Sequence, residues 1–297
     1  MIQSWLKAFR LRTLPLSLSG IILGSFLAKK EGFWDGYIFV FALLTTLFFQ
    51  ILSNLANDLG DSQKGTDNQF RVGPMRAVQS GEISMKAMKL AVAIFTFLSL
   101  LSAAILIRIS SIGMTKEVIW MYVLLAILCV IAAITYTVGK KAYGYHGFGD
   151  LFVFIFFGLV SVLGSYTLFT KTFNPEIFFP AITIGLLSTA VLNLNNMRDQ
   201  VNDKTSNKIT LVVKLGKSKA KIYHFFLVLL AIISAVFFLQ DLNIFRYLFL
   251  IPFCILTLHL QKVNNTQEEK DFDPELKKVA LTTFLISIMY AVISAFS

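Results

Sequence analysis

Long apolar runs separated by short polar segments are the dominant pattern along this chain of 297 residues. A helix needs about 20 consecutive apolar residues to cross the hydrocarbon core of a bilayer. The pattern therefore predicts an all-α, multi-pass membrane protein, with about nine transmembrane helices around a central cavity in one domain, residues 1–297. The predicted helices lie near residues 13–29, 37–56, 87–108, 118–138, 149–170, 177–195, 222–240, 244–261 and 278–296.

Composition supports lipid as the solvent of these helices. Hydrophobic residues make up 56% of the chain and charged residues only 15%, with a mean hydropathy of +0.71. Soluble domains are about 45–50% apolar and about 25% charged. The first apolar run is short enough to suggest a signal peptide, but it lacks a small-x-small cleavage site and follows Trp5 and Arg10, so we predict a mature helix.

The basic residues are distributed unevenly between the two sides of the predicted bundle. The net charge is +10, and 21 of the 27 lysines and arginines fall before the first helix or in alternate loops. This bias follows the positive-inside rule and predicts a cytoplasmic amino terminus and cytoplasmic long loops in the cell membrane. The excess charge thus reflects topology, with a contribution to binding anionic lipid or phosphate, and no nucleic-acid partner is expected.

Two polar segments, one after the second predicted helix and one after the sixth, repeat a pattern of amide and carboxylate side chains. Residues spaced three or four apart lie on one face of a helix, so each segment presents an acidic face. The two faces lie on the same side of the membrane. Their members are Asn54, Asp58 and Asp61 in the first segment, and Asn195, Asp199 and Asp203 in the second.

Carboxylates next to hydrocarbon are costly unless they are paired or bind a cation. Mg²⁺ prefers oxygen ligands and is usually held by one or two carboxylates together with substrate phosphates. Two acidic faces with arginine and lysine nearby therefore predict a diphosphate bridged by Mg²⁺, although the acids could also simply lie in the headgroup layer. Candidate contacts to the phosphate-bearing substrate are Asn54, Asn57, Lys64, Arg71, Arg76, Asn195, Asn196, Arg198 and Lys208.

These motifs resemble those of the UbiA superfamily of membrane prenyltransferases, which carries two Asp-rich motifs on the loops after its second and sixth helices. Gly65 stands where the first motif of the superfamily would end, and Asp67 follows it. The matching residues are Asn57, Asp58, Asp61 and Asp67, and Asn196, Arg198, Asp199 and Asp203.

The shifted first motif is most similar to the branch of the superfamily that prenylates 1,4-dihydroxy-2-naphthoate in menaquinone synthesis. The similarity extends over WLKAFRLRTLPLSLSGIILG, RVGPMRAVQSG, YGYHGFGDLFVFIFFG and NNMRDQVNDKTSNKITL. Two positions depart from the branch: Asp150 stands where Glu is expected, and Asn207 where Gly is usual.

The resemblance implies a polyprenyl diphosphate donor, an aromatic acceptor, and Mg²⁺ held by Asp58, Asp61, Asp199 and Asp203, with Asp67 as a further ligand. Departure of the diphosphate would leave an allylic cation, which the electron-rich ring attacks with loss of the carboxylate to give a demethylmenaquinone. Other acceptors such as 4-hydroxybenzoate remain open. A cation-coupled transporter is the alternative from another class, although transporters usually bind ions near the midplane.

The remaining polar and aromatic residues receive no role in the predicted site. Tyr136, Tyr143, Tyr145 and Phe154 are expected to pack or to face lipid, and His146, His224 and His259 to be isolated structural residues. The charged segment 262–277 is expected to be a solvated connector. The sequence does not specify an oligomeric state.

Overall fold

The computed structural model describes residues 2–66, 68 and 72–296. The described residues form helices and turns with no strand, which confirms the all-α class, and nine helices are long and apolar enough to cross a membrane. In chain order these are α1 (Ile2–Lys30), α2 (Gly36–Gln63), α3 (Met85–Ser110), α4 (Lys116–Thr135), α5 (Gly149–Thr170), α6 (Pro175–Arg198), α7 (Lys217–Leu239), α8 (Leu242–Asn265) and α9 (Glu269–Ala295).

The ends of the helices place the two polar segments. Helix α2 continues to Gln63, seven residues beyond its predicted end, so the first acidic face lies on its last three turns. Helix α6 ends at Arg198, and a short helix, Gln200–Thr205, follows it. The amide of Asp203 still donates to the carbonyl of Asp199 at 2.8 Å, so the predicted spacing of four residues survives the break.

Helix α1 is interrupted near its beginning. The segment Ile2–Phe9 is helical, Arg10 adopts the left-handed conformation with φ 49°, and a regular helix resumes at Leu14. The side-chain amide of Asn54 on α2 donates to the backbone carbonyl of Phe9 at 2.9 Å and to the hydroxyl of Thr13 at 3.2 Å. A side chain of the first polar segment therefore fixes the break in α1.

Seven of the helices surround a central cavity. Helix α1 packs against both α5 and α9, which closes the bundle. Helices α1–α6 and α9 line the cavity, whereas α7 packs on the outside of α6, and α8 contacts α7 and α9. The predicted cavity is therefore present, with two of the nine spans outside its wall.

Glycines allow the closest helix contacts, as expected where helices cannot rely on a hydrophobic driving force in lipid. A Cβ at Gly158 on α5 would lie 2.6 Å from the carbonyl oxygen of Ala181 and 2.6 Å from the Cα of Gly185 on α6. A Cβ at Gly60 would lie 2.5 Å from the hydroxyl of Thr137, just after α4. The packing of α5 against α6, and of α2 against the segment after α4, therefore depends on glycines that leave no room for a Cβ.

We predict that Gly158→Val destabilises the protein in detergent by about 1–3 kcal/mol or more, because overpacking forces the α5 and α6 backbones apart. Thermal unfolding of the purified protein measures the change. Gly164→Ala is the matched control, since Gly164 lies on the same helix with nothing within 4 Å of a built Cβ. Equal thermal stability of the Gly158→Val variant and the control would contradict the close approach.

Candidate active site at the polar mouth of the cavity

The cavity has a volume of about 800 Å³, and the charged side chains that line it gather at one end. We call this end the polar mouth, after five residues that line it: Asn57, Asp61, Asn195, Arg198 and Lys208. Ala42 also lines the cavity. It lies 19 residues before Asp61 on α2, which corresponds to about 28 Å along the helix axis. The apolar part of the cavity therefore extends over most of the thickness of a bilayer core.

Lys208 joins the two acidic motifs at the polar mouth. Its Nζ lies 3.8 Å from Oδ2 of Asp61 on α2 and 3.6 Å from Oδ1 of Asp203, after α6. All three side chains are buried, with 11%, 5% and 3% of their surfaces exposed, respectively. The structure thus brings the two motifs to one place, as the sequence hypothesis requires.

Electrostatics fix the charge of Lys208. Burial alone would lower the pKa of its ammonium group, but Asp61 and Asp203 outweigh that effect and hold the pKa above its ordinary value. Burial lowers the pKa of Lys64, and the positive charge of Lys208 lowers it further. The carboxylate of Asp61 acts in the opposite direction but does not reverse the shift. Lys208 therefore remains a cation at the mouth.

Arg198 binds the second acidic motif from inside the bundle. Its Nε donates to Oδ1 of Asp199 at 3.0 Å and its Nη2 to Oδ2 at 2.7 Å, a bidentate geometry that strengthens the pair. The same guanidinium donates to Asn195 at 2.8 Å and to Asp273 of α9. The expectation that segment 262–277 is only a solvated connector is therefore wrong at Asp273, which closes the mouth from the last helix.

The remaining predicted residues differ in their surroundings. Asn57 accepts a hydrogen bond from the hydroxyl of Thr137 at 3.3 Å, and Arg76 lines the cavity. Asp58 and Asn196 are buried, with 1% and 3% of their surfaces exposed, and neither lines the cavity. Asp67 and Arg71, predicted as a metal ligand and a phosphate contact, lie outside the described residues.

The donor atoms present suit Mg²⁺ but do not form a complete cage. Among the described residues, no three His, Cys, Asp or Glu side chains are grouped closely enough to hold an ion by themselves. The mouth offers carboxylate and amide oxygens, which are the ligands Mg²⁺ prefers, and one or two carboxylates are enough when phosphates complete the coordination. The site therefore fits Mg²⁺ that enters together with a diphosphate.

Tyr145 is buried beside the first acidic motif, so the expectation that it faces lipid is wrong, whereas packing stays a possible role. Its hydroxyl donates to Oδ1 of Asp61 at 2.7 Å, and Nζ of Lys64 lies 3.8 Å from the centre of its ring. Tyr136 and Tyr143 line the cavity, as do Phe156 and Phe157 of α5. These last two belong to a π-helical segment, Phe154–Val160, a distortion that is frequent at functional sites.

A second buried network corrects the expectation of isolated histidines. Nε2 of His224 on α7 lies 2.8 Å from Nε2 of His259 on α8, and Nδ1 of His259 lies 2.6 Å from Oε2 of Glu275 on α9. Nζ of Lys278 donates to the other oxygen of Glu275 at 2.7 Å. This network ties α7, α8 and α9 together, while His146 is exposed.

A closed helical bundle with two acidic motifs at the mouth of a deep apolar cavity matches one class of membrane enzyme. The sequence profile of the UbiA prenyltransferase family covers residues 17–289, and the chain belongs to that family. A 1,4-dihydroxy-2-naphthoate octaprenyltransferase from Haemophilus influenzae is 40% identical over 98% of this chain and 95% of its own length. The protein of the same name from Escherichia coli is 39% identical over 97% and 94%.

A solved structure supports the same fold. A UbiA homologue from Archaeoglobus fulgidus, described as bound to DMAPP and Mg²⁺, superposes with a TM-score of 0.67 at 15% sequence identity. The superposition covers 99% of this chain and 100% of that one. At this identity the likeness establishes the arrangement of the helices.

We predict that Arg198→Met destabilises the protein by about 3–5 kcal/mol, because it removes one partner of a buried ion pair and leaves the Asp199 carboxylate without its bidentate donor. Thermal unfolding in detergent measures the effect. The double variant Arg198→Met/Asp199→Leu should recover part of the loss, since both charges are then absent.

Lys7→Met is the control for the loss of an ion pair at the surface. Lys7 and Glu82 pair at 3.2 Å with side chains 65% and 36% exposed, and such pairs contribute about 0–1 kcal/mol. If Arg198→Met is no more destabilising than Lys7→Met, the Arg198–Asp199 pair does not hold the mouth together.

Proposed function

We propose that the protein transfers a polyprenyl group from a polyprenyl diphosphate to 1,4-dihydroxy-2-naphthoate, with loss of carbon dioxide, to give the hydroquinone form of a demethylmenaquinone. The observation that carries the proposal is the meeting of two acidic motifs around Lys208 at the mouth of a deep apolar cavity. Relatives of that name match nearly the whole chain at about 40% identity, which supports the choice of acceptor.

The two ends of the cavity suit the two ends of the donor. Lys208 and Arg198 lie at the polar mouth with Arg76, and their charges would contact the phosphate oxygens together with Lys64 and Arg71. The apolar part of the cavity would take the prenyl tail. In this arrangement the reactive carbon of the donor would lie just inside the mouth.

The acidic motifs would hold Mg²⁺ with the diphosphate. We assign Asp58, Asp61, Asp199 and Asp203 to this role, and Asp67 as a further ligand, with the amides of Asn54, Asn57, Asn195 and Asn196 as supporting groups. When bound, the ion would supply Lewis-acid neutralisation of the charge on the departing diphosphate. Lys208 and Arg198 would stabilise the same developing charge through preorganised N–H donors.

The bond between the prenyl carbon and the diphosphate oxygen would break with its electron pair leaving on the diphosphate. Tyr136 and Phe156 line the cavity, and their ring faces would stabilise the allylic cation. The apolar wall would keep water from this cation. The electron-rich ring of the acceptor would then form the new carbon–carbon bond, and the electrons of the departing carboxylate would return to the ring. Burial raises the pKa of Tyr136 to about 12, so its hydroxyl stays protonated.

The proposed function also predicts where the enzyme lies and which molecules it meets. We infer that residues 1–297 form one prenyltransferase domain in the cell membrane, with the amino terminus and the polar mouth on the cytoplasmic side, where the basic loops lie. The partners would be the two substrates and the bilayer, with no nucleic acid. The transporter alternative has little support, because the acids lie at helix ends rather than at the midplane.

We predict that Asp58→Asn and Asp199→Asn each abolish prenyl transfer by the purified, folded protein. The assay combines 1,4-dihydroxy-2-naphthoate, labelled prenyl diphosphates of several lengths, and either Mg²⁺ or EDTA, and measures labelled product. EDTA should abolish product formation in the unmodified enzyme. Glu268→Gln, which removes an exposed acid, is the control and should retain activity.

Two results would contradict this function. Near-normal rates in both Asp variants would remove the metal assignment. Turnover with 4-hydroxybenzoate but not with the naphthoate would keep the transferase class and replace the acceptor.

A further inference from the structure

Tyr145 contacts the first acidic motif and also Lys208, the cation that joins the two motifs. Its hydroxyl donates to Oδ1 of Asp61 at 2.7 Å and lies 2.6 Å from the hydroxyl of Thr66. A phenol has one hydrogen to donate, so the Thr66 hydroxyl must donate to the Tyr145 oxygen. The result is a directed chain of hydrogen bonds from Thr66 through Tyr145 to Asp61, and such chains strengthen each bond.

The ring and backbone of Tyr145 extend these contacts to Lys208 and Ile209, which follow the second motif in the chain. Nζ of Lys64 lies 3.8 Å from the ring centre and Nζ of Lys208 lies 5.6 Å from it, both within the range of cation–π attraction. The carbonyl of Tyr145 accepts from the amide of Ile209 at 3.1 Å, directly after Lys208. One aromatic ring therefore attracts both Lys64 and Lys208, which offsets part of the repulsion between their like charges.

The local fold leaves Tyr145 little freedom. It belongs to a short 3₁₀ turn, Tyr143–His146, which ends at Gly147 with φ 85°. Only 7% of the residue surface is exposed. The backbone carbonyl of Thr66 accepts a hydrogen bond from the side-chain amide of Asn202 at 2.9 Å. This bond ties Thr66, the partner of the Tyr145 hydroxyl, to the segment after α6. The phenol is thus fixed from both sides.

We propose that Tyr145 is a positioning residue for the Mg²⁺–diphosphate site. By holding Oδ1 of Asp61, it fixes the plane of the carboxylate so that Oδ2 faces Lys208 and the second motif. Through cation–π attraction its ring keeps Lys64 and Lys208, two phosphate-binding cations, beside that carboxylate. This inference rests on the proposed function, because it assigns Asp61 to the metal.

Tyr143, two residues earlier in the same turn, makes contacts of a different kind. The hydroxyl of Tyr143 donates to the backbone carbonyl of Ala132 at 2.9 Å, and its ring stacks on Phe152 with centres 4.0 Å apart. These contacts suit a residue that packs the wall of the cavity. Tyr145 instead directs its hydroxyl to a carboxylate of the site.

The test is Tyr145→Phe, which removes the hydroxyl and keeps the ring. Outer partners of metal ligands typically change metal affinity by 10–100-fold when mutated. We expect a rise of about tenfold in the Mg²⁺ concentration for half-maximal activity and a raised KM for the prenyl diphosphate, with the KM for the acceptor unchanged. Binding of an unreactive prenyl thiodiphosphate, measured over a Mg²⁺ titration, should weaken in parallel without any turnover.

Tyr166→Phe is the matched control. Its hydroxyl donates to the Glu31 carboxylate at 2.6 Å, and the pair lies at the ends of α5 and α1 away from the mouth. This variant removes a buried hydroxyl of the same kind and should leave the Mg²⁺ dependence unchanged. Thr66→Val is a second test variant, which should shift the Mg²⁺ dependence in the same direction as Tyr145→Phe, by a smaller factor.

The outcomes separate this inference from the proposed function. If the unmodified protein binds the thiodiphosphate with Mg²⁺ and both Tyr145→Phe and Thr66→Val do so equally well, Tyr145 is only a packing residue and the inference fails. If the unmodified protein shows no Mg²⁺-dependent binding, the proposed function fails first. Should Tyr145→Phe not fold, Thr66→Val decides the question by the same titration.

Discussion

Compensation of buried carboxylate charge is the constraint on which the rest of this structure depends. An ionised carboxylate that leaves water loses several kcal/mol of solvation unless a partner replaces it. Lys208 supplies that partner to Asp61 and Asp203 at once, and Arg198 supplies it to Asp199. Asp61 and Lys208 lie far apart in the chain, so their ion pair brings the end of α2 and the segment after α6 to one place.

The same arrangement divides the cavity into two chemical environments. Cations and carboxylates gather at the polar mouth, while the wall from the mouth to Ala42 is mainly apolar. A substrate with a charged head and a long hydrocarbon tail can satisfy both ends, whereas a small ion or a wholly apolar lipid satisfies only one. The family and the relatives agree with this division, and the naphthoate acceptor follows from the relatives rather than from the cavity itself.

The sequence predicted the parts of the fold that are encoded locally. Apolar runs give the nine spans, and a spacing of three or four residues gives the shared face of Asp58 and Asp61, because both signals lie within a single helix. The Tyr145–Asp61 hydrogen bond joins residues 84 positions apart, and the Arg198–Asp273 pair joins residues 75 apart. No local pattern encodes such pairs. His224 and His259 looked isolated for the same reason, since the packing of α7 against α8 brings them together.

The central claim is that both acidic motifs share one metal–diphosphate site, and a metal position tests it most directly. The measurement is the anomalous diffraction of Mn²⁺ in crystals grown with an unreactive prenyl thiodiphosphate. The account predicts manganese at the polar mouth, within coordination distance of carboxylates from both motifs or of diphosphate oxygens held between them. Manganese bound to one motif alone, with the diphosphate outside the cavity, would contradict it.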